Sequence, residues 1–273
     1  MSRDRLPLVV EPEELQAALD RDDILVVDLS QTQFYRQSHL PGAVHLDYAQ
    51  IVRAKPPIMG LLPDPPQLSA LFSQLGLTAD THVVAYDNEG GGRASRLLWT
   101  LEAAGHSGYS LLNGGLPAWL QQRLPTSTQI EEAKAASSYT VHANDTVIAD
   151  KDYILARLRD PATILLDCRS PAEYAGKDRR AQRGGHIPSA VNIEWSRALE
   201  PKRDMRLKSE EELQSLYQEA GVTPDKQVIA YCQTHHRSAL SYIVLKSLGY
   251  RLVRGYPGSW SEWGNDPHTP IES

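Results

Sequence analysis

Cys232-Gln233-Thr234-His235-His236-Arg237-Ser238 gathers a nucleophile, a fixed cation and a run of hydrogen-bonding side chains within seven residues. Cysteine reacts as the thiolate, whose pKa falls beside cations and helix N-termini. Arg237 follows five positions after Cys232 with no acid intervening. The chemistry this spacing offers is attack by a thiolate on a soft electrophile, followed by a covalent intermediate on sulfur. A cysteine kept only for its apolar bulk would not be followed by Gln, Thr, two His and Arg, all of which need water or hydrogen-bond partners.

The neighbouring segments must place that sulfur. Gln227 to Tyr231 reads as a buried strand, and Ala239 to Leu248 carries apolar residues at helical spacing. The thiol therefore sits where a strand hands over to a helix, so loop N–H groups and the positive helix end converge on one atom, a geometry for holding an anion. In open α/β sheets such sites lie beyond the carboxyl ends of the strands.

The chain repeats itself once. Ile24-Leu25-Val26-Val27-Asp28 answers to Thr163-Ile164-Leu165-Leu166-Asp167, and His39-Leu40-Pro41-Gly42-Ala43-Val44 answers to His186-Ile187-Pro188-Ser189-Ala190-Val191. Gly76-Leu77-Thr78 and Val83 to Tyr86 match Gly221-Val222-Thr223 and Val228 to Tyr231, and each half closes on a Gly and Trp element ending at Trp119 or Trp260. Two similar domains are expected, 1–135 and 136–273, with Leu124 to Asn144 as a linker rich in Pro, Ser, Thr, Ala and Glu. Short β-branched runs alternating with helical segments predict an α/β fold, each domain a mainly parallel sheet flanked by helices on both faces. Ser209 with Glu212, and Asp64 with Gln67, are candidate capping boxes; Gly221 and Gly76 are the matching helix stops. The first copy of the reactive loop reads Asp87-Asn88-Glu89-Gly90-Gly91-Gly92-Arg93. A carboxylate is no sulfur nucleophile, so the first domain is expected to be inactive.

Composition bounds the partners. The 273 residues are 41% hydrophobic and 23% charged, ordinary for a globular protein, and the formal net charge of −6 gives no reason to expect nucleic acid or an anionic membrane surface. No apolar run approaches membrane-spanning length and the N-terminus has no signal-like core, so a cytoplasmic protein is expected. Two cysteines, Cys168 and Cys232, are too few for a disulfide framework. Cys168 reads as a packed thiol near the rim of the site. No metal and no cofactor are expected, because adjacent histidines diverge and no further Cys/His cluster completes a ligand set around Cys232.

The duplicated Asp-ending strand, the His-Leu/Ile-Pro element, the Cys loop opening a helix and the Gly/Trp closing element together resemble the two-domain rhodaneses. Cys-Gln-Thr-His-His-Arg-Ser is similar to the loop of bacterial thiosulfate:cyanide sulfurtransferases of the Azotobacter and Pseudomonas type. The resemblance spans nearly the whole chain. It implies that Cys232 takes a sulfane sulfur from thiosulfate or a related donor, becomes a persulfide, and passes the sulfur to cyanide or another thiophile, including a thiol-bearing protein. It also implies substrate-binding arginines in the basic segment Lys177 to Arg183, where Arg179 and Arg183 are the candidates, and it makes Trp195 a candidate lining residue. Arg237 is read both as a cation for an oxyanionic donor and as a strut to nearby carboxylates, and His235 and His236 as solvated modulators of the loop's potential. Gln233 and Thr234 stand where vertebrate-type enzymes carry Arg and Lys, and the loop lacks the Cys-Gly start of mercaptopyruvate sulfurtransferases. The rival readings are a persulfide carrier or redox-sensing module, and a Cys/Arg-loop phosphatase or arsenate reductase. The latter place five residues between Cys and Arg, whereas four separate Cys232 from Arg237.

Overall fold

A computed structural model describes residues 5–133, 138–200 and 204–273. The boundary expected near residue 135 lies outside the described residues. In chain order the strands are β1 (Val9–Val10), β2 (Ile24–Asp28), β3 (Val44–His45), β4 (Arg53–Lys55), β5 (Ile58–Leu61), β6 (His82–Tyr86), β7 (Tyr109–Leu112), β8 (Thr163–Asp167), β9 (Val191–Asn192), β10 (Leu199–Glu200), β11 (Arg206–Leu207), β12 (Gln227–Tyr231) and β13 (Val253–Gly255).

The first sheet runs β1-β7-β6-β2-β3 and the second β13-β12-β8-β9, with every pairing within them parallel. The repeat is thus a repeat of topology. A parallel bridge from Ile148 to Gly255 stands in the second sheet where β1 stands in the first. Parallel strands need crossover connections and carry helices on their faces, which is why β6 and β12 are buried almost throughout. Val26, Val84, Tyr86 and Trp119 belong to one core, and Leu165, Ile229, Tyr231 and Trp260 to the other.

Local signals in the sequence place the helices. Both capping boxes form, Asp64 with Gln67 opening helix Pro65–Gln74 and Ser209 with Glu212 opening helix Glu210–Gln218. Gly76 and Gly221 follow with φ of 78° and 76°, the left-handed conformation that ends a helix at no steric cost. The helix after the reactive loop runs Arg237–Ser247, starting two residues before the apolar pattern does.

The chain divides into two compact units that are not its two halves. One takes the described parts of 1–51, 63–144 and 200–207; the other takes 52–62, 145–199 and 208–273. The antiparallel β4–β5 hairpin therefore belongs to the unit that carries Cys232. Likewise Leu207 donates its N–H to Asn113 Oδ1 at 2.8 Å inside the first unit. The described stretches of the expected linker, 124–133 and 138–144, are tied down by hydrogen bonds. Trp119 Nε1 donates to the Pro125 carbonyl, Glu131 N–H to the Tyr35 hydroxyl and Tyr139 N–H to Ser73 Oγ, so these stretches are held without needing an apolar period. Among the described residues no helix is long and apolar enough to cross a membrane.

Candidate active site

Cys232 is the residue after β12, and its side chain is buried. The loop that follows is held from its outer side by backbone. The carbonyls of Cys232 and Gln233 accept the N–H groups of Trp260 and Ser261 at 2.9 and 3.0 Å. A peptide unit is planar and trans, so its N–H points opposite its C=O. Fixing the Gln233 carbonyl outward therefore aims the Thr234 N–H inward, and it does hydrogen-bond the Cys232 sulfur. Hairpin strand β5 covers the same outer side. A Cβ on Gly60 would lie 2.4 Å from the Thr234 oxygen and 2.5 Å from the Pro257 oxygen, so only glycine permits this approach.

His235 takes the left-handed conformation at φ 55° and His236 returns to φ −89° as the helix N-cap. This alternation makes successive N–H groups converge into an anion-binding nest. The expectation of a solvated His235 is corrected by the structure. The ring is fully buried and Nδ1 lies 2.8 Å from Ser238 Oγ. The Ser238 hydroxyl also serves the sulfur, and it has one proton to give. If that proton goes to the thiolate, the His235 ring must donate through Nδ1–H to Ser238, a directed chain of His235, Ser238 and sulfur. His236 is half-buried.

Burial by itself pushes the Cys232 thiol up. The Arg237 guanidinium, the Ser238 hydroxyl and N–H, and the Thr234 N–H together outweigh burial and bring the thiol below its ordinary value. Arg237 is in turn held by a residue the loop pattern did not reveal. Glu173 binds it through two bonds, Nη1 at 2.6 Å and Nη2 at 2.8 Å. Glu173 is itself 1% exposed, and burial would raise its pKa; the Arg237 bonds and charge, the Ser170 N–H and Arg180 instead hold the carboxyl at about 2. The sequence did carry a signal for it. Ser170-Pro171-Ala172-Glu173 is a capping box with Pro at the first helical position, which pins the Glu173 carboxylate at the start of helix Pro171–Tyr174.

The three arginines of the basic segment separate. Arg183 spends its guanidinium on the carbonyls of Thr269, Trp263 and Asp266 and the Thr269 hydroxyl, the work of a strut. Exposed Arg179 turns back on the Gln182 carbonyl. Arg180, passed over in favour of those two, comes within 3.5 Å of Glu173 and accepts the Gln233 side-chain N–H on its own carbonyl at 3.1 Å. Trp195 is half-buried and its backbone N–H meets the Cys168 carbonyl at 3.2 Å. Cys168 is free and fully buried.

The first unit shows what the same loop does without a cysteine. Asp87 is buried; Oδ1 accepts the N–H groups of Glu89 and Gly91 at 2.9 and 2.8 Å, and Oδ2 those of Arg93 and Ala94 at 2.9 and 3.0 Å. In both loops the N–H two residues on and that of the second helical residue, Arg93 or Ser238, serve the leading side chain. Arg93 is paired with Glu89 at 3.0 Å.

The rhodanese-like domain family matches residues 11–122 and 150–266. The thiosulfate sulfurtransferase of Azotobacter vinelandii is 44% identical over 267 residues, covering 98% of this chain and 97% of that one. That of Pseudomonas aeruginosa is 41% identical with the same coverage. Among solved structures, the 3-mercaptopyruvate sulfotransferase SseA from Escherichia coli superposes with a TM-score of 0.83 at 26% identity, over 93% of this chain and 99% of that one.

Proposed function

The chain belongs to the rhodanese-like family and is a sulfurtransferase, and we infer that it moves sulfur from thiosulfate to a thiophilic acceptor through a persulfide on Cys232. The observation that carries this reading is the Cys232 sulfur itself, buried among inward-pointing N–H donors with Arg237 beside it.

The thiolate attacks the outer sulfur of thiosulfate; the sulfur–sulfur bond of the donor breaks and sulfite leaves with the electron pair. The enzyme is left as Cys232–S–S⁻. Cyanide then attacks the terminal sulfur, thiocyanate departs and the thiolate returns. No general base is needed, because the attacking group is the thiolate, which the Arg237 charge and the loop donors favour. The loop N–H groups, the nest at His235 and His236 and the helix N-terminus hold negative charge before and after the first transfer.

The Asp87 loop supports this use of the cradle. A carboxylate and a persulfide both place an anionic atom two bonds from Cβ, and four N–H groups already close on the one in the first unit. On this reading Cys232 is the catalytic residue and Arg237 steadies its charge and faces the oxyanion of the donor. Glu173 and the His235–Ser238 chain position these groups, and Gln233 and Thr234 shape the entrance. Arg180, whose guanidinium pairs with Asp178 at 3.1 Å and reaches Glu173 at 3.5 Å and whose backbone carbonyl holds the Gln233 side chain, is a better-placed cation for the donor than Arg179 or Arg183. Trp195 walls the same strand end. Acceptors include a thiol on a partner protein, and two free, buried cysteines suit the reducing cytoplasm.

Intact mass spectrometry tests the assignment. Thiosulfate should add one sulfur atom, cyanide should remove it, and Cys232→Ala should show neither step. Thiocyanate formation by the Cys232→Ala protein would refute the role of Cys232, and a single sulfur exchange without turnover under excess thiosulfate and cyanide would identify a carrier instead of an enzyme.

A further inference from the structure

We infer that Cys168 is a second thiol of the sulfur chemistry: when no acceptor arrives, it displaces the outer sulfur of the Cys232 persulfide as hydrosulfide and closes an intramolecular Cys168–Cys232 disulfide. The inference rests on the persulfide proposed above.

The two cysteines are neighbours by register. Tyr231 and Asp167 are opposite residues at the end of the parallel β12–β8 ladder, and Cys232 and Cys168 are the next residue of each strand. The ladder still holds at that point, since Cys168 N–H donates to the Tyr231 carbonyl at 2.9 Å. Adjacent strands lie about 4.7–4.9 Å apart. That falls inside the span of about 4.4–6.8 Å between Cα atoms that a disulfide bridges. Alternation along a strand puts both thiols on the side opposite Tyr231 and Asp167. There they meet helix Arg237–Ser247, Cys232 through Ser238 and Cys168 through Ser241, serines one turn apart on one helix face. Packing does not demand a thiol at this place, because the corresponding residue of the first unit is Leu29, equally buried.

The step balances without an outside oxidant. The Cys168 thiolate attacks Sγ of Cys232, the bond from Sγ to the outer sulfur breaks, and that sulfur leaves with the electron pair as hydrosulfide. Persulfide and thiol give disulfide and hydrogen sulfide, the proton of Cys168 ending on the departing sulfide. The oxidising equivalents are those of the sulfane sulfur taken from the donor. Thiol–disulfide exchange with a small dithiol reduces the bridge and restores both thiols.

Burial pushes the Cys168 thiol well up, the Cys232 and Asp167 charges push it further, and Ser241 and Arg237 oppose them. The step is slow for that reason, and an abundant acceptor outruns it. Sulfuration itself eases the step, because the charge of Cys232 moves one bond outward, away from Cys168, and hydrosulfide is a good leaving group.

The experiment loads the full chain with thiosulfate, removes the excess, withholds any acceptor, and follows intact mass under acid quench together with released sulfide. In the wild type the sulfur adduct should give way to a species two hydrogens lighter than the starting protein, with sulfide released and a peptide joining residues 168 and 232. Cys168→Ala, or Cys168→Ser if the alanine variant folds poorly, should hold its adduct at least about tenfold longer. Equal adduct lifetimes, or sulfide release without the joined peptide, would overturn the inference. Failure of either protein to gain sulfur at all would instead overturn the persulfide assignment.

Discussion

Replacing Arg237 by Gln tests the electrostatics of the site at its centre, because the guanidinium lies between the sulfur and Glu173. Glutamine keeps a planar polar head but no charge. At the sulfur, burial raises the thiol pKa and Arg237 is the foremost influence pulling it back, so without Arg237 the thiol pKa should rise. Each tenfold loss of thiolate corresponds to about 1.4 kcal/mol. We expect at least about a tenfold slower alkylation of Cys232 by iodoacetamide near neutral pH, with the inflection of the pH–rate curve moved upward. At Glu173, a carboxyl held at about 2 instead of 4.5 reports about 3 kcal/mol of favourable charge interaction, undiluted by solvent because the side chain is 1% exposed. The sign follows from the depressed value. That stability is present above the unfolded carboxyl pKa and is lost as pH falls toward 2. The variant should therefore be less stable by about 2–3 kcal/mol in urea near neutral pH, and the gap to wild type should close on acidification. An alkylation inflection that stays put or moves down would refute the claim that Arg237 holds the thiolate. A stability gap that persists unchanged in acid would refute the pairing with Glu173.

Gly60→Ala forces a Cβ to within 2.4 Å of one rigid carbonyl oxygen and 2.5 Å of another, so the Thr234 peptide must turn. It should cost about 1–3 kcal/mol of stability and at least about tenfold in kcat/KM; wild-type kinetics would contradict the backbone-aiming account of the loop. Asp87→Cys in a Cys232→Ala background should give no thiocyanate, because its loop is one residue longer before the arginine and Arg93 is committed to Glu89. Measurable turnover in that double variant would show that a cysteine at a strand end suffices.

What the sequence alone determined is whatever depends on neighbours along the chain. The strands Ile24–Asp28, Thr163–Asp167 and Gln227–Tyr231 stand where their apolar runs place them, because short runs rich in β-branched residues that alternate with helical segments favour strands covered on both faces. The capping boxes at Asp64 and Ser209 form because their partners are three residues apart. The reactive loop was legible for the same reason: strand, thiol, arginine and helix follow one another without a break. Tertiary structure decided every pairing between distant residues. Glu173 reaches Arg237 only because β8 lies beside β12, and no periodicity announces an ion pair across sixty-four positions. His235, polar and in a loop, was expected in water. It is buried because Ser238 satisfies its ring and the nest fixes its backbone. Arg183 bears the charge a substrate site wants, yet folding surrounds it with carbonyls first. Hairpin residues 52–62 belong by sequence to the first repeat and by packing to the second unit, where a missing side chain at Gly60, invisible as a signal in the sequence, lets β5 lie against the loop. Local patterns encode elements and caps; which side chains meet is settled by sheet order and close packing, which the chain expresses only once it is folded.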